Sequence, residues 1–271
     1  MPLRSLTWRI TVGGTLFLLV AVPIALAGVL PLPSPTETDL ASRLLPPLSA
    51  GHLLGTDQLG RDLLSRLIWG GRISLIIGML AMLVAGLVGT TLGALAGYYR
   101  GWVDGVVSRA IEAQLSLPLL MLLLLMIAIF GSSIPIIILV LAIAQWPESA
   151  RISRSLTLVE TEKLYVTAAR TTGTSSLRIF VMHILPNIIS RVLVVVLLLL
   201  STSALLESSL SYLGLGVERP YPTWGRIIAD GQQYVSSAWW LVVIPGIVIS
   251  LLVLGVNLLG DGIRQKLTGQ D

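Results

Sequence analysis

The chain has 271 residues, of which 54% are hydrophobic and 12% charged, with a formal net charge of +4. Soluble domains carry roughly twice that charged fraction, so a water-facing core cannot hide this much apolar surface and a bilayer is the implied solvent. The absence of cysteine removes disulfides and thiol chemistry, two separated histidines (His52 and His183) give no metal cluster, and no basic patch interleaved with aromatics points to nucleic acid.

The expected class is all-α, a polytopic bundle of six transmembrane helices. Residues 10–30 form an uncharged stretch of 21 residues after Arg4 and Arg9, about 31 Å as a helix and long enough to cross. Ala25-Leu26-Ala27 resembles a signal-peptide cleavage site, but the apolar run exceeds a usual leader and contains Pro23, which favours a retained span. Residues 31–72 are too polar to span. Within them Asp57, Arg61, Asp62 and Arg66 suggest ion pairs along a helix, or a docking surface. Residues 1–72 are thus read as a first helix and external loop, and 73–271 as the core region.

The second span is expected over 73–97. Gly89, Gly93 and Gly97 fall at four-residue spacing, a helix-packing stripe that lets backbones approach closely in lipid. A third span, 111–130, starts beside Glu112 and Gln114 and is kinked by Pro118. The fourth starts near Ile134 and has only 13 apolar residues before Pro147 and Glu148. It must therefore bend and continue towards Arg151 with a polar, protein-packed end. Residues 188–206 and 238–259 complete the set, with Arg191 placed to snorkel and Pro245 interrupting the last. Six spans put both termini on one side, which receives the larger share of basic residues, so the termini are expected in the cytoplasm.

Residues 151–186 form a segment too long for a simple connection. Glu160 and Glu162 are read as opening a helix that carries Leu164, Ala168 and Ala169 and stops at Gly173. Thr174 or Ser175 then caps a second helix with Leu177, Phe180, Val181 and Ile184, ended by Pro186. A stiff helix–turn–helix of this kind suits docking into a groove on a partner.

Val166-Thr-Ala-Ala-Arg-Thr-Thr-Gly173 followed by His183-Ile-Leu-Pro-Asn187 resembles the "EAA" coupling motif of bacterial ABC importer permeases, in the version of the dipeptide/oligopeptide/nickel family. Leu54–Arg66, Leu210–Val217 with Pro222-Thr-Trp-Gly225, and Asn257-Leu-Leu-Gly-Asp261 are similar to the same family, in the same order. The resemblance implies an inner-membrane permease, not itself an enzyme. It would work with a second, related permease chain, two cytoplasmic ATPase subunits and an external substrate-binding protein. It also implies an ATPase-coupling surface at Glu162, Tyr165, Thr167, Ala168, Ala169, Arg170, Gly173 and His183. Thr167 stands where the motif commonly has Glu, so a salt bridge from that position is absent or supplied by Glu160 or Glu162.

Glu207, an ionisable group at membrane depth, is a candidate for the pathway. Tyr212 and Trp224 are candidates for an external gate, with Trp224 at the membrane interface. No cofactor is expected, because neither Lys163 nor Lys266 follows a phosphate-binding glycine loop, and no resident metal, because His52 and His183 lie far apart and no HExxH pattern occurs. The cargo is read as peptide, with nickel or a metal chelate as the alternative. A secondary transporter would need paired intramembrane acids or inverted repeats, and an intramembrane hydrolase would need a Ser–His or Asp pair within spans. None of these patterns is evident in the sequence.

Overall fold

The computed structural model describes residues 2–268; Met1 and residues 269–271 lie outside the described residues, as do the side chains of residues 2–7, Arg4 among them, and of Thr268. The described chain is helical, with two isolated β-bridges in the loop before the second long helix. In order the helices are α1 (Pro2–Ala25), α2 (Leu63–Tyr99), α3 (Gly101–Leu115), α4 (Leu119–Phe130), α5 (Ile134–Thr161), α6 (Leu164–Thr171), α7 (Ser176–Ile179), α8 (Leu185–Tyr212), α9 (Trp224–Gly231) and α10 (Trp240–Thr268). Five are long and apolar enough to cross a membrane, and the bent pair α3–α4, counted as one broken span, brings the number to six.

Several boundaries differ from the sequence reading, each for a local reason. The first helix ends at Ala25, not Leu30; Pro23 supplies no N–H to its final turn. The second begins at Leu63, ahead of the division placed at residue 72, because the Asp62 carboxylate accepts from Ser65 N at 2.8 Å and caps it. The third span is not one kinked helix. It breaks between Leu115 and Leu119, and its halves meet at 91°. The fourth continues through Pro147 as helix to Thr161. Proline leaves the Ile143 carbonyl without its usual donor, and Gln114 Nε2 supplies one at 2.7 Å. Trp146 Nε1 donates to the other end of the same amide at 2.8 Å.

The segment 151–186 therefore shrinks, since its first eleven residues belong to α5. Pro186 does not end a helix either. A π turn over Phe180–Ile184 joins α7 to α8, with Leu185 N donating to the Phe180 carbonyl. One widened turn shifts the hydrogen-bond register just before the proline, so residues 176–212 run as a single helical rod.

The centre of the bundle is α2 against α5. Gly93 faces the Ala150 backbone so closely that a methyl group there would collide with its carbonyl, and a Cβ at Gly97 would lie 2.7 Å from the Arg154 carbonyl oxygen. Two buried hydroxyls clip the pair together: Ser149 Oγ donates to the Ala85 carbonyl and Ser153 Oγ to that of Thr90, both at 2.9 Å. In lipid such bonds average only about 0.6 kcal/mol each, so close backbone packing carries most of the association. α8 packs against both α2 and α5, and α1 lies along α10.

At the end of the bundle where α2 begins, the loop ahead of it folds onto α9 through charge. The Asp57–Arg61–Asp62–Arg66 cluster is not a helical ladder. Asp57 pairs with Arg61 at 2.7 Å within the loop and also with Arg66, while Asp62 is the cap of α2. Arg66 reaches Asp230 of α9 at 3.4 Å. Trp224 is fully buried, its Nε1 donating to the Leu67 carbonyl at 3.0 Å. It is a core residue and not an interfacial one, because the helix start at Thr223 turns it inward.

Candidate coupling site

The other end of α2 carries a small helical foot. α6 buries Val166 completely, against Ala94, Tyr98, Ile179, Phe180, Ile184 and Ile188. This second apolar core roots the foot on α2 and on the α7–α8 rod. Tyr98 adds a bond from its hydroxyl to the Ser176 carbonyl at 2.9 Å, and its ring lies 5.3 Å from that of Phe180.

The turn that closes the foot is a complete Schellman motif. Gly173 has φ +77°. Its N–H bonds the Arg170 carbonyl, and the Thr174 N–H bonds that of Ala169, both at 3.1 Å. Left-handed backbone of this kind costs a side chain with a Cβ about 1–2 kcal/mol, so glycine fits. Ser175 is the N-cap of α7 by position, but neither it nor Thr174 makes a side-chain cap bond.

The acids expected at the start of α6 instead finish α5. Glu160, only 2% exposed, is held by Lys163 at 2.8 Å and accepts from Tyr165 Oη at 2.7 Å. Burial and this bond push the Tyr165 phenol up to about 12, so it stays protonated and donates. Asn187 Nδ2 bonds the His183 carbonyl at 2.5 Å and Tyr165 Oη at 3.4 Å, and the Tyr165 and His183 rings lie 6.3 Å apart. Glu160 therefore has no freedom to replace the acid missing at Thr167. Glu162 does: it is 73% exposed and pairs with Arg100 at 3.0 Å. Arg170 sits 6.0 Å over the Tyr98 ring, completing one side of a cleft of ≈240 Å³ with Arg100, Thr161 and Glu162.

Thr167, Ala168 and Arg170 point outward, with Ala169 half-buried behind them. Leu164 is 88% exposed, and Leu177, Val181 and Met182 are exposed beside it. The exposed face of the foot is thus an apolar rim around small side chains, with an acid and an arginine at its edge. Sequence reasoning missed Tyr98 and Arg100, at which only the Tyr98-Tyr99-Arg100 run at a helix end hinted; Asn187 closed the quoted motif but was given no role.

The gate and pathway candidates fall elsewhere. Glu207 is fully buried, with Oε1 accepting from Ser211 at 2.7 Å and the hydroxyls of Ser74, Ser208 and Thr223 around it. It faces the interior between α2, α8 and the start of α9. Tyr212 is half-exposed at the end of α8, beside a cleft of ≈360 Å³ with Leu205, Ser209 and Ile249. Gly89, Gly93 and Gly97 face α5.

A helical bundle of up to six crossings with a short exposed foot folded back onto it is the architecture of the permease subunit of an ABC importer. The family profile of the binding-protein-dependent transport system inner membrane component matches residues 89–269, and the chain belongs to that family. It is 37% identical to a protein of Brucella suis named as a peptide transport system permease, over 98% of this chain and 88% of that one. It is 38% identical to the di/tripeptide transport system permease DppC of Pseudomonas aeruginosa, over 94% and 86%. With the dipeptide transport system permease DppC of Escherichia coli it shares 40% identity, over 86% and 80%. A chain of the MetNI methionine ABC transporter, solved in inward-facing form, superposes with TM-score 0.59, covering 74% of this chain and 96% of that one. At 19% identity that likeness is one of fold.

Proposed function

We propose that this chain is one of two related permease subunits of a peptide importer, and that the α6–α7 foot receives the push of an ATPase. Two cytoplasmic ATPase subunits hydrolyse ATP, an external binding protein delivers the cargo, and this chain catalyses no reaction. The foot and both termini lie in the cytoplasm.

The observation that carries the coupling role is mechanical. The foot is short, closed by paired hydrogen bonds at Gly173, and rooted through Val166 in a core shared with α2 and α8. A push on α6 moves those spans as one body, whereas a slack loop would absorb it. Ala168, Thr167 and Arg170 present the contact, and Glu162 offers the acid that Thr167 lacks. Tyr165 and His183 brace the foot from behind. The peptide cargo rests on the relatives, which are named for peptide, dipeptide and di/tripeptide systems.

The test is uptake of a labelled dipeptide into proteoliposomes holding the whole transporter and its binding protein, with ATP inside. Uptake should need ATP and be competed by unlabelled di- and tripeptides. Competition by a nickel chelate and not by peptides contradicts the cargo.

A further inference from the structure

Charge is costly in the middle of a bilayer, so an ionisable side chain there needs a partner or water. Glu148 is the fifteenth of the 28 residues of α5, and Arg151 follows one turn later. Both are exposed, and neither side chain has a hydrogen-bond or ion-pair partner among the described residues. They open onto a cleft of ≈190 Å³ between α5, α8 and the α3–α4 break, with Thr202, Gln114, Leu117 and Leu119 on its walls.

The backbone gives a second, independent argument. α4 starts with no side-chain cap, and Ser116, Leu117 and Pro118 of the break are exposed. A helix start leaves N–H groups unpaired, and irregular backbone is not tolerated against hydrocarbon, only against protein or a water-filled cavity. Gln114 fixes the depth of the break: its amide donates to the Ile143 and Ala144 carbonyls at 2.7 and 3.1 Å, beside the middle of α5. Both its N–H groups are thereby engaged, which leaves Glu148, Arg151 and Thr202 to meet a ligand.

The geometry points to this cleft as a mid-membrane station of the translocation pathway that takes the two charged ends of a peptide. Glu148 receives the ammonium terminus. Arg151, whose fork matches a carboxylate, receives the other end together with the Thr202 hydroxyl. Side chains three apart on a helix stand about 5–6 Å from each other at Cβ, and a dipeptide spans about 7 Å, so one molecule can reach both. The cleft and its unpaired charges are features of this chain alone; the identity of its occupant rests on the peptide reading above.

The test uses the whole transporter with its binding protein in proteoliposomes. The chain has no cysteine, so Thr202→Cys gives it one thiol, and labelling by a charged, membrane-impermeant methanethiosulfonate is read as a mass shift on this chain. Labelling is expected, slowed by excess dipeptide during turnover. Leu87→Cys, 72% exposed in the single chain but on unbroken apolar helix, should stay unlabelled. An unreactive Thr202→Cys in a transporter that still imports shows the cleft to be dry, filled by the second permease chain, and overturns the proposal. In a second arm, Glu148→Gln and Arg151→Gln should each raise the KM for dipeptide uptake about tenfold or more, in complexes that assemble. Unchanged KM values overturn the assignment of the termini. Labelling of Thr202→Cys beside a wild-type transporter that imports no peptide overturns the cargo and leaves the open cleft standing.

Discussion

Pro147 and Gln114 form a unit at the residue scale. The proline removes a donor from the middle of a spanning helix, and the glutamine on a neighbouring helix restores it. Gln114→Leu takes the protein donor from the Ile143 carbonyl and leaves it to cleft water, at a cost of about 0.5–1.5 kcal/mol. Thermal unfolding of the purified complex should fall accordingly, and an unchanged midpoint contradicts this account. Pro147 within an apolar run was visible in the sequence as a place needing polar support. The supporting residue lies 33 positions earlier on another helix, a pairing that no local pattern encodes. Gly173 is different, because the need for a left-handed turn is local. Gly173→Val, with open space around it but the wrong backbone preference, should abolish uptake while ATP hydrolysis continues in an assembled complex. Gly173→Asn, which tolerates that conformation, should retain most uptake.

At the scale of elements, the spacing of Gly89, Gly93 and Gly97 puts them on one side of α2, and in the fold that side meets α5. Gly93→Val forces α5 away from α2 at about 1–3 kcal/mol or more for overpacking. Gly105→Val meets nothing within 4 Å and should be silent. The comparison is read as folded yield and melting temperature; equal behaviour of the two variants contradicts the packing argument. Arg66, 3% exposed and paired to Asp57 and Asp230, gives another case. Arg66→Met removes one partner each from Asp57, which keeps Arg61, and from Asp230, which keeps Arg219 and Arg226, so the melting temperature should fall by less than the roughly 3–5 kcal/mol of a fully broken buried pair implies. Apolar runs told where most spans lie, yet charge misled at their ends. Arg66 and Arg72 looked like loop residues but sit inside α2; long-range partners make the buried charge of Arg66 tolerable, and Arg72 stays exposed over the Trp69 ring. The continuity of α7 with α8 through Pro186 was equally hidden, because a π turn leaves no mark in composition.

Taken whole, the molecule is a bundle with two unlike ends joined by α2, a charge-tied loop at one and the α6–α7 foot at the other. The family was legible from four ordered sequence blocks, and the all-helical membrane class from composition alone. Which surfaces meet other chains was not, because those surfaces acquire their partners only on assembly. The foot's contact is the claim on which the importer reading turns. The most direct measurement places a single cysteine at Ala168→Cys, in a chain that otherwise has none, within the intact transporter, and cross-links it with a short thiol-to-amine reagent. Attachment to an ATPase subunit, changing in extent when nucleotide is bound, is the predicted result. Labelling of that thiol from outside the cell, or no attachment to an ATPase in a transporter that still imports, would contradict it.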